Sequence, residues 1–175
     1  MLNIAYTFAP EDEAKLTKVS TLLNCYADSE YRLGNNSIAH VSIVHINADE
    51  ADVEQMWQKL QNSTVEMDVE LVLKNFVVEA PWKGRVYSNF SLERVGELSK
   101  IQKNIMRLFD VNSVFNGYGS EFYPHLTTSC HLDVLKAQKL PAQKPPFRRF
   151  KGFLTIGTRD SYGRMEKVLL GGYKG

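Results

Sequence analysis

The sequence predicts an α+β fold, a single domain over residues 1–175 built as two pseudo-symmetric lobes, whose largely antiparallel sheets face a central cleft with helices outside. Three observations predict it. Apolar residues alternate between strand-like runs and stripes at helical spacing, the order strand, helix, loop, strand occurs twice, and each occurrence ends in a strand that carries a histidine near its start. From Tyr6 in the first strand to His40 is 34 residues, and from Tyr87 to His125 is 38. Residue identity between the halves is poor, so the duplication is read from element order. A chain of 175 residues is long enough to bury a real core.

Residues 2–8 are apolar and rich in strand formers. Pro10 then opens a helix with Glu11, Asp12 and Glu13 in its first turn, where the helix dipole favours acids, and Leu16, Val19, Leu22, Leu23 and Tyr26 form its stripe. Residues 28–37, with Gly34, Asn35 and Asn36, read as a loop, and residues 38–46 return to strand. Val53, Met56, Trp57 and Leu60 mark a second helix capped near Asn47 or Asp49, and residues 69–80 form a strand stopped by Pro81. The pattern then restarts. Residues 85–90 are a strand, Ser91 is the expected N-cap, and Val95, Leu98, Ile101, Ile105 and Leu108 trace a helix to Phe109. A loop with Gly117 and Gly119 precedes a strand over 125–132. Residues 139–146 hold three prolines and read as a linker, and residues 147–159 and 166–173 read as a closing hairpin around Ser161-Tyr162-Gly163-Arg164.

Composition excludes several classes. Hydrophobic residues at 43% and charged residues at 23% match globular usage and exclude disorder. A net charge of +1 leaves no global basic field for duplex binding, so no duplex DNA partner is expected. Arg148, Arg149 and Lys151, interleaved with Phe147 and Phe150, read either as a solvated strand face or as a local grip on a phosphate backbone. Cys25 and Cys130 lack CxxC spacing and read as reduced thiols. The N-terminus carries no basic signal region, and no apolar run nears the roughly 20 residues that span a bilayer. A soluble, cytoplasmic monomer with no membrane partner is expected.

The chemistry-bearing residues are His40-Val41-Ser42-Ile43 in one half and His125-Leu126-Thr127-Thr128 in the other. On a strand, side chains at i and i+2 share a face about 7 Å apart, so each strand presents an imidazole and a hydroxyl together while Val41 or Leu126 turns to the core. Two such strands facing each other surround one small anion, with hydroxyls donating to phosphate oxygens and imidazoles in reach of the attacking and leaving oxygens. An unperturbed pKa of about 6.5 lets one ring accept a proton while the other donates one. A lone strand histidine is usually structural; the matched pair is what points to catalysis. His45, five residues past His40, is expected on the opposite face, and His131 on the face of His125 but about 20 Å along the strand.

Zinc needs three or four converging ligands, and no such histidine spacing exists, so neither metal nor cofactor is expected. Gly117-Tyr118-Gly119-Ser120 lacks the lysine and spacing of a P-loop and reads as a rim. Tyr118, Phe122, Tyr123 and Trp82 are candidates to stack on a nucleobase, with core packing as the competing reading. Tyr162 in the terminal hairpin and Arg32 before the first motif are candidate phosphate or ribose contacts.

These residues resemble the signature of the 2H phosphoesterase superfamily, the RNA 2',3'-cyclic phosphodiesterases and 2'-5' RNA ligase-like proteins, which is defined by two His-x-Ser/Thr motifs. The resemblance covers nearly the whole chain and includes the opening strand and helix, the aromatic-x-Pro-His lead-in kept as Phe122-Tyr123-Pro124-His125, and the closing strand pair. It implies catalytic His40 and His125, phosphate-binding Ser42 and Thr127, and metal-independent hydrolysis of a cyclic or 2',5'-type phosphodiester in a nucleotide or short RNA. Ser42 replaces the commoner threonine and keeps the hydroxyl, whereas Thr128 stands where the family usually has an apolar residue. Two other readings stay open: a non-catalytic module that binds nucleotides or RNA ends, and 2'-5' end joining, the reverse reaction. Which histidine is base and which acid is left open by the sequence.

Overall fold

The computed structural model describes all residues except 94, 112–116 and 118. Its strands are β1 (Leu2–Thr7), β2 (Ser29–Arg32), β3 (Val41–Ile46), β4 (Asp68–Val78), β5 (Val86–Leu92), β6 (His125–His131), β7 (Arg149–Arg159) and β8 (Met165–Gly171). The helices are α1 (Pro10–Asn24), α2 (Val53–Gln61), α3 (Val95–Leu108) and the short α4 (Val134–Ala137). Every described strand pairing is antiparallel, and the class is α+β as the sequence predicts. Among the described residues no helix is long and apolar enough to cross a membrane.

The strands of the two halves are hydrogen-bonded into one sheet, in the order β1-β3-β6-β5-β4-β7-β8 with β2 on β6, where two separate sheets were expected. Because β1 also pairs with β7, six strands close into a ring. Two features join the halves. The first residues of β4, Asp68 to Val72, pair with β7 and the remainder, from Leu73, pairs with β5, so one long strand serves both halves. On the other side Val41 pairs with Leu126, linking β3 to β6.

The helices pack as their apolar spacing dictates. Leu98, Ile101 and Ile105 of α3 are buried, as are Val53, Met56, Trp57 and Leu60 of α2. Each long helix packs on the other half's motif strand, α1 on β6 and α3 on β3, which buries the backs of both strands. The buried face of α1 is narrower than its stripe predicts: Leu22 and Tyr26 are exposed, while the small polar Ser20 is buried. Ser20 Oγ donates to the Thr128 carbonyl at 2.6 Å and accepts the Leu33 N–H at 3.0 Å, clipping α1 to β6.

Two local expectations are corrected, and of two readings of the basic stretch one holds. Residues 28–37 hold β2, a four-residue strand too short to show alternation. Ser91 is not an N-cap but lies inside β5, opposite His125, and its hydroxyl exchanges hydrogen bonds with the Asn75 backbone. The basic stretch is a solvated strand face whose charges meet acids: Arg148 with Glu93 at 3.1 Å, Arg149 with Glu70 at 3.3 Å and Lys151 with Asp68 at 3.0 Å. Pairs this exposed contribute about 0–1 kcal/mol each.

The registers of the two motif strands match more closely than their sequences. Tyr6 pairs with Val41 and Phe90 with Leu126, each a fully buried aromatic opposite the residue after a motif histidine. Phe90, rather than Tyr87, is therefore the counterpart of Tyr6. Both motif strands also carry a β-bulge one residue past the motif hydroxyl: Ile43 is the extra residue between the pairs Ala5–Ser42 and Ile4–Val44, and Thr128 between Asn89–Thr127 and Ser88–Ser129.

Candidate active site

The pair Val41–Leu126 organises the site. Both side chains are fully buried, so the residues flanking them on β3 and β6 turn to the opposite face. There His40, Ser42, His125 and Thr127 all line one cavity of about 410 Å³, within the range of small-molecule sites. An antiparallel register carried outward from that pair sets His40 across from Thr127 and Ser42 across from His125.

Both imidazoles are oriented in the same way. His40 donates its Nδ1–H to the Ile38 carbonyl at 2.7 Å, and His125 donates its Nδ1–H to the Tyr123 carbonyl at 2.8 Å, in each case two residues back. This fixes the tautomer and leaves Nε2 of each ring for proton transfer. Burial is the main cause that holds the His40 pKa below the ordinary imidazole value, and the nearby His125 ring adds to it; the carbonyls of Ile38 and Gly163 and the Asp160 carboxylate oppose it. His40 is therefore poised neutral at neutral pH.

The bulges overturn two expectations from strand alternation. The extra residue Ile43 reverses parity beyond it, so His45 lies on the same face as Ser42, lines the cavity, and has its Nε2 3.2 Å from Ser42 Oγ. Burial first, then Arg159 and the His40 and His125 rings, push the His45 pKa down to about 3, so that ring is neutral. Ser42 Oγ also accepts from Asn3 Nδ2 at 2.8 Å. In β6 the same reversal at Thr128 sends His131 to the face opposite His125, where its Nδ1 donates to the Ala27 carbonyl at 2.9 Å and its Nε2 meets Ser129 Oγ at 2.8 Å. Cys130 takes the place on the face of Thr127 and packs against Tyr31 and Tyr87; burial raises its thiol to about 12, so it is no thiolate nucleophile.

Aromatic side chains form much of the rest of the wall. Trp82 meets Tyr87 at 6.2 Å and Tyr162 edge-on at 6.2 Å. The Arg85 guanidinium lies 3.8 Å over the Tyr162 ring while held by both oxygens of Glu30, which fixes the β7–β8 turn beside the cavity. Tyr123 stacks on His125 with centroids 5.5 Å apart.

Of the candidates read from sequence, Trp82, Tyr123 and Tyr162 line the cavity with the four motif residues. Phe122, next to Tyr123, turns the other way and is buried in the core. Arg32 sits on β2 off the cavity wall, which its neighbour Tyr31 occupies instead. Tyr118 lies outside the described residues. Tyr31, Ser37, Glu79, Tyr87 and Gly163, which the sequence does not mark as site residues, line the cavity too, as does His45, expected on the other face. Among the described residues no group of three or more His, Cys, Asp or Glu side chains is placed to hold a metal ion.

No protein-family model matches the chain, and no curated protein matches it by sequence. Solved structures do. Usb1 of Kluyveromyces marxianus is similar in fold, with a TM-score of 0.54 at 12% identity over 96% of this chain and 94% of that one. A second structure, of Kluyveromyces marxianus Usb1 with uridine monophosphate, aligns at a TM-score of 0.49 and 13% identity over 78% of this chain and 74% of that one.

Proposed function

We propose that the chain is a metal-independent phosphodiesterase of the 2H phosphoesterase type, acting on a cyclic or 2',5'-type phosphodiester of a nucleotide or short RNA. The observation that carries this reading is the matched pair of imidazoles in one cavity, each tied through Nδ1 to the carbonyl two residues back and each followed by a hydroxyl on the same face. Similarity in fold to Usb1 is consistent with it.

In the hydrolytic direction the neutral His40 ring accepts a proton at Nε2 from a water whose oxygen attacks phosphorus. The bond from phosphorus to a ribose oxygen breaks, and His125 delivers its Nε2 proton to that oxygen, leaving a phosphomonoester and a free hydroxyl. Ser42 and Thr127 donate to the non-bridging oxygens, where charge gathers in the transition state. The assignment of His40 as base follows from its burial, which favours the uncharged ring. The aromatic wall of Trp82, Tyr87 and Tyr162 offers faces on which a base can stack.

The test is a substrate panel in EDTA: 2',3'-cyclic mononucleotides, 2'-5' oligoadenylate and cyclic dinucleotides, with the phosphate end of each product mapped. Turnover of at least one class is expected. Failure across the panel, or turnover abolished by chelation, contradicts the reading.

A further inference from the structure

We propose that His45 is a positioning residue for Ser42: with Asn3 it occupies the acceptor side of the Ser42 hydroxyl, so that the Ser42 O–H is left to donate into the cavity, to a phosphate oxygen. The inference rests on reading the cavity as a phosphodiester site.

A serine hydroxyl has one proton to give and two lone pairs to receive. Asn3 Nδ2 donates to Ser42 Oγ at 2.8 Å, and His45 Nε2 stands 3.2 Å away. When His45 carries its proton on Nε2, both lone pairs are taken and the hydroxyl proton has only the cavity to point into. With the proton on Nδ1, Ser42 donates to His45 instead and turns away from an incoming anion. A bond to a phosphate oxygen is charge-assisted and stronger than one to a neutral ring, so an anion selects the first arrangement.

The backbone builds this arrangement. Asn3 and His45 are cross-strand partners on β1 and β3, and the bulge at Ile43 is what brings His45 onto the face of Ser42. The His45 ring is buried, and a methyl group added at Gly163 would stand 3.8 Å from its Cε1, so the β7–β8 turn closes over it. Burial keeps the ring neutral, with a pKa near the about 3 given above, so its single proton has two nitrogens to choose between.

The second half is built differently. At the positions matching Asn3 and His45, β5 and β6 place Tyr87 and Cys130, and the amide paired across from Thr127 is that of Asn89, whose Nδ2 donates to Glu79 Oε1. The Asn3–His45 arrangement around Ser42 is therefore not repeated in the second half.

A double-mutant cycle tests this, using the 2',3'-cyclic nucleotide or oligonucleotide turned over by the wild type, with kcat, KM and melting temperature measured for S42A, H45F and the double variant. His45→Phe keeps the ring but not the donor, and should lower kcat/KM roughly 5- to 20-fold, the scale of one hydrogen bond. Ser42→Ala should cost at least as much, and the double variant should be no worse than S42A within about two-fold, because His45 acts only through that hydroxyl. His45→Gln, whose amide N–H falls near the position of Nε2, should recover most of the loss. Asn3→Asp, which replaces a donor with an acceptor that captures the Ser42 proton, should lower kcat/KM further than Asn3→Ala and needs no fold-sensitive change at His45. Losses that multiply in the double variant, an H45F enzyme as active as wild type, or N3D no worse than N3A would overturn the proposal while the phosphodiesterase reading stands. A wild-type chain inactive across the whole panel overturns that reading first, and this inference with it.

Discussion

Val41 and Leu126, the residues immediately after the two motif histidines, pair with each other across β3 and β6. This contact turns two distant His-x-Ser/Thr segments into one site, because burying both side chains forces His40, Ser42, His125 and Thr127 onto the other face. A polar residue at either position removes the apolar contact that joins the strands, and the shared face of the four motif residues depends on it.

The hydroxyls come first. Under the proposed function, Ser42→Ala and Thr127→Ala each remove a donor to a charged phosphate, an interaction worth about 1.5–3 kcal/mol, and so should lower kcat/KM about 10- to 100-fold. Steady-state kinetics on the substrate found in the panel check this, and a loss under two-fold for both variants argues that the phosphate sits elsewhere.

The pH profile follows from His40. Its pKa is held below the ordinary value, chiefly by burial, and a general base works only when unprotonated, so kcat/KM should fall on the acid side with a midpoint below about 6.5. Asp160 opposes the shift, so Asp160→Asn should move that midpoint to still lower pH. A midpoint above 6.5, or one that moves upward in D160N, contradicts His40 as the base.

Acid should also destabilise the fold. His45 is neutral when folded, with a pKa lowered to about 3, and takes up a proton near 6.5 when unfolded. Its contribution is fully present above pH 6.5 and is lost as pH falls from there toward the folded value; at pH 5.5 the loss is about 1 kcal/mol. His131, also lowered by burial, adds in the same direction. Melting temperatures at pH 7.5 and 5.5 check it: the drop should be smaller in H45F, and an equal drop would contradict the account.

Thr128 gives the second bulge its own polar anchor. Its hydroxyl donates to the Ser88 carbonyl at 2.9 Å and meets Ser88 Oγ at 2.7 Å, with Ser129 and His131 completing a buried chain. Thr128→Val should therefore cost about 1–2 kcal/mol, or roughly 3–6 °C in melting temperature for a chain of this size. A melting temperature unchanged in thermal denaturation would show the hydroxyl idle.

The sequence carries the motif quartet plainly, because simple alternation holds from His40 to Ser42 and from His125 to Thr127. It fails one residue later. A bulge is set by what the partner strand offers, and nothing in Ser42-Ile43-Val44-His45 distinguishes it from a regular strand. His45 and His131 were misplaced for that one reason. Tyr31, Glu79 and Tyr87 were missed because they reach the cavity from a four-residue strand, a strand end and a cross-strand neighbour, positions fixed by long-range pairing. The two-part pairing of β4, which joins the halves into one sheet, has no local signature.

The most direct test of two-histidine catalysis is the turnover rate of wild type, H40A and H125A in EDTA, on the phosphodiester that the wild type cleaves. The account predicts chelator-resistant turnover in the wild type and a loss of at least about 10²-fold in each variant, with folding unchanged by circular dichroism. A folded H40A or H125A enzyme that retains wild-type turnover would contradict it.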